Sequence, residues 1–185
     1  MRPPPQLLHE PLAVEVMSLL HPPILETRSL HWPDEAACAA FAAALAARPQ
    51  VRAASIDLHG PLGAGKTTFV RHLLRALGVA GRIKSPTFTV LEPYELPGLP
   101  ISHFDFYRFA DPREWADAGF RELFAAPGLK LAEWPEHAAG MLPVADLRLF
   151  MEPLPDLSLR IEPQDDDSRA VVAEAFTARG LALLR

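Results

Sequence analysis

The stretch Gly60-Pro61-Leu62-Gly63-Ala64-Gly65-Lys66-Thr67-Thr68 holds the most specific chemistry in this chain. It fits G-x-x-x-x-G-K-[ST], the pattern of a loop that wraps phosphate. Gly63 and Gly65 can take backbone conformations closed to other residues. The N–H groups from Leu62 through Gly65 can therefore turn inward at phosphate oxygens. Lys66 is a long cation able to reach the β- and γ-phosphates of a nucleotide. Thr67 offers a hydroxyl ligand to Mg²⁺, and Thr68 can donate to the α-phosphate. Average residue usage would yield this pattern by accident in well under about one chain in a hundred of this length. A glycine-rich turn that merely joins two elements would leave Lys66 and Thr67 unexplained.

The sequence also narrows the nucleotide. Guanine-specific loops of this type work with an [NT]-K-x-D element. This chain has no Asn, and its other lysines, Lys84 and Lys130, follow Ile83 and Leu129. ATP is the expected ligand, with Mg²⁺ as its counterion. An LSGGQ signature, expected of a transporter ATPase, is absent.

Hydrolysis needs more than the loop, because the metal wants a second anchor and the attacking water wants orientation. Two carboxylates close apolar segments: Asp105 after Ile101–Phe104, and Glu133 after Leu129–Ala132. From the residues alone, either can anchor the metal or order the water. His103 shares a strand face with Asp105 and reads as a supporting partner. Ser85-Pro86-Thr87 stands where such proteins keep a switch segment, with Thr87 placed to sense the γ-phosphate.

These residues need a scaffold of alternating strands and helices. Asp34 can cap a helix over 35–47, and Ala54–Leu58 reads as the strand that feeds the loop. A second helix follows, with Phe69, Val70, Leu73, Leu74 and Leu77 on one face and Gly78 as its stop. Thr87–Leu91 and Ile101–Tyr107 are β-prone, the latter with Ile101, His103, Asp105 and Tyr107 on one face. Asp111-Pro112-Arg113-Glu114 is a helix start, for a helix carrying Trp115, Phe120, Leu123 and Phe124. Leu129–Ala132, Leu147–Met151 and Leu157–Ile161 read as strands, and Val171–Phe176 as strand or helix. The run Asp165-Asp166-Asp167 reads as a solvated turn. The expected fold is α/β, a P-loop NTPase-like three-layer domain with a mixed sheet. Its strands would be parallel near the nucleotide and antiparallel towards the C-terminus.

Length supports one such domain: 185 residues suit a single core, read here over 27–185, behind a proline-rich extension over 1–26 of unknown role. Net charge is −5, and the 15 arginines and 3 lysines are scattered, so autonomous nucleic-acid binding is not expected. No apolar run approaches the ~20 residues that span a bilayer. Glu10 and Glu15 interrupt the N-terminal apolar stretch, which argues against a secretory signal, and Cys38 is the one cysteine. A cytoplasmic protein without membrane attachment is expected.

Five segments together resemble a known family: Leu62 to Phe69, Lys84-Ser85-Pro86-Thr87-Phe88, Glu92-Pro93-Tyr94, His103 to Arg108, and Glu133-Trp134-Pro135. In order and spacing, from about Leu30 to Pro143, they are similar to TsaE (YjeE), the ATPase of bacterial tRNA threonylcarbamoyladenosine (t⁶A) biosynthesis. The resemblance implies work on adenosine 37 of tRNA through a complex with TsaD and TsaB, with tRNA met only there. It implies Lys66 as the phosphate lysine, Thr67 and Glu133 as Mg²⁺ ligands and Asp105 as the carboxylate needed for hydrolysis. It further implies Thr87 as a switch threonine and Trp134 beside the nucleotide. Pro61 replaces an acidic residue common in the family's loop, which stiffens the loop at a position whose amide need not face phosphate. Two other readings stand beside it. A small-molecule kinase would need an arginine-rich lid, for which Arg108, Arg113 and Arg121 are the candidates. A nucleotide-dependent binding module would bind without useful hydrolysis.

Overall fold

The computed structural model describes residues 22–86, 88–109, 113, 115, 118–154 and 168–185. A seven-stranded sheet organises them, in the order β1-β7-β6-β2-β5-β4-β3. The strands are β1 (Glu26–Trp32), β2 (Ser55–His59), β3 (Leu91–Leu96), β4 (Leu99–Asp105), β5 (Leu129–Glu133), β6 (Leu147–Pro153) and β7 (Arg169–Ala175). The four central strands β6, β2, β5 and β4 run parallel, and β1, β7 and β3 pair antiparallel at the two edges. The mixed sheet is thus as expected, with an antiparallel strand at the β3 edge as well.

Helix α1 (Glu35–Ala46) starts where its cap predicts: Asp34 Oδ1 accepts from the Ala37 amide at 2.8 Å. Helix α2 (Lys66–Leu77) buries Phe69, Val70, Leu73 and Leu74 and stops at Gly78, whose φ of 103° suits a residue without a Cβ. Both helices cover the sheet face that carries Ile56, Leu58, Leu131, Leu149 and Ala173. Period-2 alternation sends Phe104 and Ala132 to the opposite face, where they meet Phe106, Trp115 and Phe120. Two shorter helices are α3 (Phe120–Ala125) and α4 (Ala178–Leu184). Among the described residues no helix is long and apolar enough to cross a membrane. Cys38 is buried, and burial pushes its thiol up to about 12.

Several expectations are corrected. The helix read from Asp111 through Phe124 is interrupted: Gly119 sits at φ 67° and α3 begins anew at Phe120. Its Asp111-Pro112 start lies outside the described residues, although Arg113 and Trp115 are helical. The strand read over Thr87–Leu91 begins only at Leu91, because 88–90 form a turn with Val90 at φ 62°. Thr87 itself, Leu157–Ile161 and the acidic run at 165–167 lie outside the described residues, as do 1–21 of the extension. The segment Val171–Phe176 is strand up to Ala175, as part of β7, which is flanked by β1 and β6.

A polar side chain of β2 is buried in the sheet although it occupies a polar place in the alternation. Asp57, between Ile56 and Leu58, is buried on the face away from α2. Burial pushes its carboxyl from 3.8 up to about 7, against the pull of the Arg148 guanidinium 3.6 Å away and with a push from Glu136. The unfolded chain releases this proton near the ordinary value. The native state therefore holds an extra proton between about pH 4 and about pH 7, and stability falls as pH rises through that window. The loss is expected to be on the order of a few kcal/mol. Urea titrations across the window should show the slope in the wild type and its flattening in Asp57→Asn. Equal slopes in both proteins would assign the proton elsewhere.

Candidate functional site

The C-terminal ends of the parallel strands converge on the glycine loop, the usual crevice of such sheets. β2 delivers the chain into the loop, and β5 and β4 lie beside it in register. Leu58 pairs with Glu133, and Glu133 with Asp105. The two carboxylates are therefore neighbours at one level, although 28 residues separate them in sequence. A cleft of about 250 Å³ opens over them, lined by Leu62 through Thr68 together with Ser85, Asp105, Tyr107, Glu133 and Trp134. The structure thus brings together Leu62, Gly63, Ala64, Gly65, Lys66, Thr67, Thr68, Asp105, Glu133 and Trp134. Gly60 stands behind the cleft at φ 134°, where a Cβ would run into the Met151 carbonyl.

Lys66 is 4% exposed. Its ammonium donates to the Gly60 carbonyl at 2.5 Å and the Pro61 carbonyl at 2.9 Å, and lies 3.7 Å from the centre of the Trp134 ring. Burial lowers its pKa, while Glu133, Glu136 and Asp105 pull it back up. The loop thus holds a cation on its own carbonyl oxygens at the N-terminus of α2, where an anion is favoured. Trp134 takes a left-handed conformation (φ 56°) to reach that position and packs against Tyr107, with ring centres 5.0 Å apart.

The carboxylates have different company. Glu133 is 2% exposed and accepts from Thr67 Oγ1 at 2.9 Å on each oxygen. Its Oε1 also meets His103 Nε2 at 2.8 Å. Asp105 accepts from Ser85 Oγ at 3.0 Å and from the Tyr107 amide at 3.0 Å. Asp105 is thereby tied to the segment that leads to Thr87, and Glu133 to the first turn of α2.

Arg169 was missed from sequence. From the start of β7, about a hundred residues away, its Nε donates to the Ala64 carbonyl at 3.2 Å and its Nη2 to the Gly63 carbonyl at 3.4 Å. It closes one wall of a smaller cavity, about 60 Å³, which Trp32, Glu35, Cys38 and Thr68 share. No local pattern marks such an arginine; only strand pairing brings it to the loop.

The sequence pattern of the family described as "Threonylcarbamoyl adenosine biosynthesis protein TsaE" matches residues 32–171. The chain is similar to the tRNA threonylcarbamoyladenosine biosynthesis protein TsaE of Haemophilus influenzae, 46% identical over 96 residues, 52% of this chain and 61% of that protein. The protein of the same name from Bacillus subtilis is 35% identical over 128 residues, 69% of this chain and 77% of its own. The crystal structure of Bacillus subtilis YdiB superposes with a TM-score of 0.63 at 26% identity, over 86% of this chain and 92% of that one. The match to the Haemophilus protein thus spans less than two thirds of that relative.

Proposed function

The chain belongs to the TsaE family of threonylcarbamoyl adenosine biosynthesis proteins, and from that premise we propose that it binds Mg-ATP at Lys66 and hydrolyses it in support of t⁶A modification of tRNA. The observation that carries the reading is the pairing of Thr67 with Glu133 at the first turn of α2. Their oxygens lie 2.9 Å apart. Two adjacent ligands of an octahedral Mg²⁺, each at about 2.1 Å, stand about 3.0 Å apart. The oxygen pair is therefore spaced and charged to hold Mg²⁺. Bound there, the ion would neutralise phosphate charge and polarise the terminal phosphoryl group.

The chain's own residues do the rest. The loop amides and the start of α2 bind the phosphates, and Lys66 exchanges its two carbonyl oxygens for phosphate oxygens. Thr68 would meet the α-phosphate, and it also lines the smaller cavity beside Arg169 and Trp32, which would be open to the nucleoside. Asp105 orders the attacking water, since it is tied through Ser85 to the Thr87 segment, where the γ-phosphate is sensed. Trp134 covers Lys66 and keeps bulk water from its charge. Turnover is expected to be low in the isolated protein and to rise with TsaD and TsaB, with tRNA met only within that cytoplasmic complex.

Thr67→Ala and Glu133→Ala are each expected to raise the Mg²⁺ concentration that half-saturates ATP binding by at least about ten-fold. Calorimetric ATP titrations at stepped Mg²⁺ measure this, and curves that coincide with the wild type would remove the metal assignment. A kinase is separated by its product: phosphate release with no phosphorylated acceptor, across nucleosides and sugars, marks the hydrolase. A binding module is separated by turnover that stays near zero even with TsaD and TsaB present.

A further inference from the structure

His103 is fully buried (0% exposed) in β4 and projects from the same sheet face as Glu133, one step back along the neighbouring strand. Its Nε2 lies 2.8 Å from Glu133 Oε1, and its Nδ1 is buried without a hydrogen-bond partner among the described residues. A proton on Nδ1 would be a buried donor with no acceptor, one of the costlier defects in a core. A bare Nδ1 lone pair costs less. Nε2, which faces Glu133 Oε1, is thus the nitrogen placed to donate.

We propose that His103 is a positioning residue that holds the Glu133 carboxylate towards Thr67 and leaves Oε2 as the oxygen for the cation. The single Thr67 hydroxyl proton is shared between Oε1 and Oε2, and among the described residues His103 adds a further partner at Oε1 alone. A glutamate has three side-chain torsions to fix, and a carboxylate free to rotate would meet the metal only part of the time. The buried imidazole removes that freedom without adding a mobile group. Partners of this kind, one bond removed from the metal, commonly govern affinity by about 10–100-fold. The inference rests on the assignment of Glu133 to Mg²⁺ made above.

Two measurements on the full chain test it. In ¹⁵N-histidine spectra of the wild type, His103 is expected to carry its proton on Nε2 with Nδ1 bare; a proton on Nδ1 overturns the proposal. In His103→Leu, the Mg²⁺ needed to half-saturate ATP binding is expected to rise about 10–100-fold, while ATP affinity in excess chelator stays near the wild-type value. His103→Gln, whose amide can donate to the same oxygen, should recover most of the loss. If both variants titrate like the wild type, the proposal is wrong. If His103→Leu does not fold, the spectra decide. Glu133→Ala separates the two levels of argument. A shift there with none in His103→Leu removes the positioning role alone, whereas no shift in either removes the metal assignment and this inference with it.

Discussion

Lys66→Ala is expected to weaken ATP binding by about a hundred-fold or more, the largest single loss at this site. A hydrogen bond to a charged group is worth about 1.5–3 kcal/mol, and the ammonium can make two to the β- and γ-phosphates. Its present partners, the Gly60 and Pro61 carbonyls of the loop and the Trp134 ring after β5, offer no substitute cation. Arg169 is near but points its Nε and Nη2 at the Ala64 and Gly63 carbonyls on the other side of the loop. Lys66→Arg should recover little, because a planar fork fits poorly where two carbonyl oxygens and an indole face enclose a point charge. Calorimetry with ATP and Mg²⁺ measures the effect. Affinity unchanged in Lys66→Ala would end the phosphate-loop reading altogether.

That loop was legible from sequence because everything that defines it is local. Glycine spacing, Lys66, Thr67 and the apolar period of α2 occur within 18 residues, and Asp34 and Gly78 mark helix ends by their own chemistry. The carboxylates were legible as candidates, not as a pair. Asp105 and Glu133 each close an apolar strand, but their adjacency comes from the parallel β4–β5 register. What was missed follows the same division. β1 is an edge strand with only Trp32 buried, so Glu26 to His31 show no alternation to read. β3 hides behind Pro93, which an edge strand tolerates and an interior strand does not. The break at Gly119 lay inside a stretch whose Trp115, Phe120 and Phe124 kept a convincing helical spacing. Those side chains do share a core, but they reach it from both sides of the break. Arg169 and Asp57 had no local signature, because each gains its role from a neighbouring strand.

Asp105→Ala is expected to bind ATP within a few-fold of the wild type and to lose at least about a hundred-fold in single-turnover hydrolysis. The contrast between the two carboxylates motivates the split. Glu133 faces Thr67, the second residue of α2, which meets the metal in loops of this type. Asp105 instead accepts from Ser85 Oγ and the Tyr107 amide. Both of these donors help fix its orientation, and Ser85 belongs to the segment that carries Thr87. A carboxylate so placed can orient water and take its proton as the phosphoryl bond breaks, which contributes to the transition state and little to the ground state. The opposite assignment puts the metal on Asp105 and the water on Glu133, with a clear signature: ATP affinity would collapse while any bound nucleotide still turned over. Measuring Asp105→Ala and Glu133→Ala side by side, with TsaD and TsaB present, decides between them. For the arrangement proposed here, Asp105→Ala loses turnover with affinity kept, and Glu133→Ala loses Mg²⁺-dependent affinity first. If the two variants exchange behaviours, the carboxylates have exchanged roles, and the Ser85–Asp105 bond becomes a support for the metal instead of for the water.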